Sequence, residues 1–105
     1  MTQFVVYENT NRTTKKSYPY LLDIQSNLLN ELRTTVVIPL CPKSIAGNAV
    51  ISKLCPIFEI ANEHYVALTQ QIAGVDRKVL GKEICDLSHY RSEVIAALDF
   101  IISGI

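Results

Sequence analysis

Tryptophan is absent from this 105-residue chain, methionine occurs once and glycine only four times. So few glycines exclude the usual phosphate-cradling loops, and no GxSxG elbow or HExxH pair is present. An excess of either charge is missing too, since ten Lys and Arg balance ten Asp and Glu. That balance argues against a generic electrostatic grip on DNA or RNA, which needs clustered cations to displace counterions. Recognition of a protein surface fits better. No apolar run approaches the roughly 20 residues that span a bilayer. The N-terminus, MTQFVVYENT, lacks the basic region, apolar core and cleavage site of a secretory signal. The expected location is the cytoplasm. The three cysteines, Cys41, Cys55 and Cys85, are odd in number and form no CxxC pair. In a reducing compartment they are most simply small buried hydrophobes. Their spacing gives little support to a metal site shared with His64 or His89, and no cofactor is implied.

What the chain does have is apolar surface. Hydrophobic residues make up 49% of it and charged residues 19%. That composition predicts a folded, single domain over residues 1–105 with a small core, and a modest chain this apolar often hides part of its surface in an oligomer.

The clearest periodic stretch is the last one, SHYRSEVIAALDFIISGI. Val94, Ile95, Leu98, Ile101, Ile102 and Ile105 recur at helical spacing and predict one apolar stripe. Ser88 is the expected N-cap, although Arg91 occupies the place where a capping box would put Glu. Gly104 stands where a helix can end left-handed. An apolar helix reaching the last residue implies a tail either docked in the core or offered to a partner.

Ahead of the helix the pattern is β. Residues 4–7 (FVVY) form a first strand, and residues 8–17 (ENTNRTTKKS) a mobile, turn-rich hairpin loop whose Lys15 and Lys16 read as solvated. Extended character resumes over residues 18–26, with one loose turn over 27–33. Residues 34–40 (TTVVIPL) are the strongest strand, and their continuous apolarity implies burial on both faces. Pro39 suggests a bend or bulge there. Residues 42–47 form a helical turn or a loop. Two strands, 56–60 and 64–69, flank a turn at Ala61, Asn62 and Glu63. Short extended segments follow at 71–74 and 78–80, and Gly81, Lys82 and Glu83 turn the chain toward the helix. The sum is a mostly β fold, a small barrel or two-sheet domain closed by one helix.

Catalytic chemistry has few candidates. A metal-free ribonuclease needs only an acid, a base and a cation near the phosphate, and Asp76, Arg77 and a histidine such as His64 would supply them. Nothing in the pattern positively suggests that use. His89, at the start of a helix, reads as a solvated, structural residue.

Several segments in order resemble one family. QFxVY at residues 3–7, DIQS at 23–26, VVIPL at 36–40, VLGKEICDLSH at 79–89 and the closing Gly104-Ile105 are similar to the signatures of the CcdB toxins, over essentially the whole length. The resemblance implies an SH3-like barrel of two antiparallel sheets with a C-terminal α-helix, acting as a homodimer. It implies a non-enzymatic poison that binds the A subunit of DNA gyrase, traps it on cleaved DNA, and is neutralised by a CcdA-like antitoxin. By position the gyrase contact falls on Asp99, Phe100, Ile102, Ser103, Gly104 and Ile105. Gln3, Phe4, Tyr7, Ser26, Leu28 and Leu29 complete or border that surface. Asp23 and Gln25 join the antitoxin-facing side, and the loop at residues 8–17 also meets the antitoxin. The chain departs from familiar members at Ser103, where they carry Trp, at Asp99, where they carry an amide, and in its longer loop after Tyr7. The alternatives are a MazF/Kid-like endoribonuclease on the same kind of barrel, and an inactive homologue that only binds an antitoxin.

Overall fold

A computed structural model describes residues 2–47 and 52–104. In chain order it contains β1 (Val5–Asn9), β2 (Tyr20–Asp23), β3 (Thr34–Pro42), the single turn α1 (Lys43–Ala46), β4 (Ile57–Ile60), β5 (Glu63–Ala67), β6 (Ala73–Asp76), β7 (Leu80–Asp86) and α2 (Arg91–Ser103). All strand pairs are antiparallel, in the order β4-β5-β3-β2-β1-β7, with β6 also paired to β3. The fold is thus a curled antiparallel half-barrel with a C-terminal helix, as the sequence indicates.

β3 organises the sheet. One edge pairs with β2, while the other pairs with β6 over Thr34 to Val37 and with β5 over Leu40 to Pro42. Pro39 falls where that second edge changes partner. Its carbonyl accepts from Leu68 N at 3.0 Å, and its missing N–H would have faced the same gap. The strand therefore runs through Pro39 with no bulge against β2, on to Pro42. The irregularities lie instead between β1 and β7, on either side of Tyr7.

Both long apolar strands are covered on two faces, which explains their unbroken hydrophobicity. Val6 of β1 and Phe4, in the turn just before it, enter the main core with Leu22, Ile38, Leu40, Phe58 and Val94. Val5 and Tyr7 point the other way, into a second cluster with Leu21, Val37 and Leu80. A third cluster joins Cys41, Leu54, Cys55, Val66 and Leu68.

Three turns differ from the sequence expectation. The β4–β5 hairpin closes on two residues, Ala61 and Asn62, both left-handed at φ 52° and 68°, as twisted two-residue hairpins require. Residues 77–79 form a 3-10 turn and not a strand. Gly81, Lys82 and Glu83 lie inside β7 and do not turn. Gly81 is needed there for contact: a Cβ would stand 2.8 Å from Thr10 Cγ2. The approach to α2 is also rebuilt. Ser88 opens a 3-10 turn, and it is Asp86 Oδ1 that accepts from Ser88 N at 2.7 Å, so the carboxylate and not the serine hydroxyl caps the bend. The loop at residues 10–19 is closed by side chains. Asn9 Nδ2 donates to Thr14 Oγ1 and to Tyr18 O, and Asn11 Oδ1 accepts from Thr13.

Candidate protein-binding surface

The candidate catalytic groups are not brought together. Asp76 pairs with Thr34 at one end of β3, whereas His64 lies just beyond the Pro42–Tyr65 pair at the other end. Eight residues of strand separate those ends, roughly 26 Å. Asp76 Oδ1 is engaged by Lys78 N, and the Arg77 guanidinium by main-chain carbonyls. The acid, base and cation of the ribonuclease alternative thus share no site. Burial raises the thiols of Cys41 and Cys85 above their ordinary value, the latter helped by the neighbouring Asp86, which disfavours a nucleophilic thiolate. Among the described residues no three His, Cys, Asp or Glu side chains are grouped to hold a metal ion, and no helix is long and apolar enough to cross a membrane.

What the fold does present is exposed apolar side chain: Ile45 on α1 is 62% exposed, and the two most exposed residues, Leu28 and Ile102, lie on two further elements. The first is the β2–β3 loop. Ser26 Oγ accepts from Leu28 N and starts a 3-10 turn over Asn27–Leu29. That turn projects Leu28 almost fully into solvent, at 93% exposure, with Leu29 and Leu32 half exposed beside it. Leu32 escaped the sequence reading because three leucines spread over five residues in a polar loop follow no strand or helix period. Gln3 ties the loop to the chain start: its main-chain N donates to Asn27 Oδ1 and its Nε2 to Ile24 O. Gln25 Nε2 donates to Leu29 O and Thr34 O.

The second element is α2. Its first half docks: Val94 and Ala97 are buried, and the Arg91 guanidinium lies 5.7 Å from the centre of the Phe4 ring. Its second half leaves Ile101 partly and Ile102 84% exposed. Among the described residues of the expected stripe, only Val94 is fully buried, so the helix divides its apolar residues between core and solvent. Phe100 is half buried against the Cys41 cluster. Asp99 is exposed, and its carbonyl accepts from Ser103 Oγ at 2.7 Å. Gly104 ends the helix left-handed at φ 73°, its N–H donating to Phe100 O. Ile105 lies outside the described residues.

Three other expected surface residues are drawn inside. Phe4, just before β1, and Tyr7, within it, are 5% and 4% exposed and belong to separate buried clusters. Asp23 is 1% exposed, with its carboxyl bonded to Thr35 Oγ1 and Gln25 N. Its neighbour Gln25 remains partly accessible.

A small curled barrel whose candidate catalytic groups lie apart or are engaged, and whose apolar groups stand outward on a loop, on α1 and at a helix end, is suited to contact with another protein. A family model described as CcdB protein matches residues 3–104. The chain belongs to the CcdB family and is accordingly a toxin of a toxin–antitoxin system, with an antitoxin as the kind of partner that neutralises it.

Proposed function

We propose that this toxin poisons DNA gyrase by binding its A subunit and holding the enzyme on cleaved DNA, without covalent chemistry of its own. The observation that carries the reading is α2, which commits Val94 and Ala97 to the core but leaves Ile102 in solvent. An isoleucine so exposed at the end of a firmly docked helix is suited to a partner's apolar pocket, since burying it there recovers about 1.5–3 kcal/mol. Asp99, Phe100, Ile102, Ser103, Gly104 and Ile105 make up that end. The tip formed by Ser26, Leu28 and Leu29, braced by Gln3, supplies the second contact, and Phe4 and Tyr7 border it from buried positions at the start of the chain. The toxin acts as a cytoplasmic homodimer, which presents each element twice. A CcdA-like antitoxin takes the side formed by Gln25 and the loop at residues 8–17, with Asp23 shaping it from below. Ser103 replaces the aromatic anchor of familiar members, so Ile102 and Ile105 supply the apolar contact.

The test is a supercoiling and cleavage assay with purified toxin, ATP, plasmid and the gyrase of its host. Linear DNA released by detergent and protease is the expected product. Unaffected supercoiling and no linear DNA at saturating toxin would reject the proposal.

A further inference from the structure

We propose that Arg77 is the positioning residue that preforms the Leu28–Leu29–Leu32 tip for the partner; the inference rests on the gyrase reading only for that partner's identity. The loop at residues 25–33, QSNLLNELR, contains neither Pro nor Gly to fix its path. Three leucines held in water would gain by folding back onto the sheet, so something must hold them out. Arg77 does this from the 3-10 turn between β6 and β7. Its Nε donates to Leu32 O at 2.6 Å and its Nη2 to Leu29 O at 3.1 Å, while its main-chain N donates to Arg33 O. One planar group thus fixes the separation of two carbonyls three residues apart in the loop, a geometry that a lysine ammonium does not reproduce. Gln25 Nε2 meets the Leu29 carbonyl as well, at 3.4 Å.

The bonding also shows what Arg77 is not doing. It is half buried, and its Nη1 is enclosed with no hydrogen-bond partner. A guanidinium kept for phosphate or carboxylate would face solvent with its fork free. This one is directed at the chain's own main-chain carbonyls, and it leaves one donor unused to do so.

The experiment compares wild type with Arg77→Gln, Arg77→Lys, Leu28→Ala and the Arg77→Gln/Leu28→Ala double variant. Hydrogen exchange of the amides of residues 28–33 in the free toxin reads the clamp without any partner. Faster exchange confined to that loop is expected in both Arg77 variants. Affinity for purified gyrase A subunit is expected to fall roughly tenfold in Arg77→Gln and nearly as far in Arg77→Lys, but the double variant should bind no worse than Leu28→Ala alone. That non-additivity is the signature of action through the tip, which a merely destabilised fold would not produce. Unchanged loop exchange, wild-type affinity in Arg77→Gln, or losses that multiply in the double variant would each overturn the positioning role. Absence of gyrase binding by wild type overturns the target instead, and loop exchange then decides the clamp by itself.

Discussion

Thr35 Oγ1 donates to the Asp23 carboxyl at 2.8 Å, and both residues are sealed from solvent, at 0% and 1% exposure. The same aspartate gives its main-chain carbonyl to Phe4 N at 2.6 Å. Phe4 needs such a grip, because it sits left-handed at φ 66°, a conformation that strains a side chain with a Cβ by about 1–2 kcal/mol. Leu87 N donates to the Phe4 carbonyl from the far side, so this cluster joins β2, the start of β1 and the approach to α2. Thr35→Val keeps the shape and removes the donor. It should lower stability by about 1–3 kcal/mol, because a buried carboxyl loses a partner. Urea unfolding would show this as a lower midpoint at unchanged slope; an unmoved midpoint would mean the bond contributes nothing.

Gly81→Ala tests the closest approach in the sheet. The added Cβ would meet Thr10 Cγ2 at 2.8 Å and the Glu8 carbonyl oxygen at 3.2 Å, and the latter is main chain that cannot swing aside. Overpacking of this kind costs about 1–3 kcal/mol. For a domain of this size each kcal/mol lowers the melting temperature by about 4–8 °C. A variant melting with wild type would show that the β1–β7 ladder yields freely.

The contrast between Gly81 and Ala61-Asn62 explains what the sequence could disclose. Period and β-branching located β1, β3, the β4–β5 hairpin and α2, because those signals reflect burial itself. The purposes of single residues were less legible. Glycine at 81 looks like a turn until Thr10 is brought beside it, and a turn at 61–63 shortens to two residues only when Ile60 is seen paired with Glu63. The surface divides in the same manner. Order and spacing of motifs pointed to the loop and to α2, but whether a side chain faces outward depends on what covers it. Leu28 and Ile102 are outward, whereas Phe4, Tyr7 and Asp23 are enclosed by strands distant in sequence. Arg77 as a brace was invisible, since its partners are carbonyls rather than side chains.

Asp86 gives the acid limb of stability a specific contributor. The main-chain N–H of Ser88, with a further contribution from the serine side chain and then His89, holds its carboxyl below the ordinary 3.8. A folded value below the unfolded one means that stabilisation is present above pH 3.8 and fades as pH falls below it through the folded value. Asp86→Ala removes the cap and should lower stability near neutral pH by about 1 kcal/mol. The wild-type advantage should shrink toward zero under strong acid, measured by thermal melts over that range. A difference independent of pH would assign the loss to packing and not to the charge.

Ile102 and Val94 lie two turns apart on one helix and should separate binding from folding. Ile102→Asp alters an exposed position and should change unfolding free energy by no more than about 0.5 kcal/mol. The same substitution places a charge on the apolar end of α2, where a partner would have to desolvate it, so growth arrest on induction should disappear. Val94→Ala acts in the opposite sense. It opens space in the main core, where Val94 is fully enclosed, and should reduce stability by about 1–3 kcal/mol. The protein that still folds should remain fully poisonous, because the helix end is unchanged. Retained toxicity in a folded Ile102→Asp variant would remove the end of α2 from the contact and leave the Leu28 tip as the principal surface.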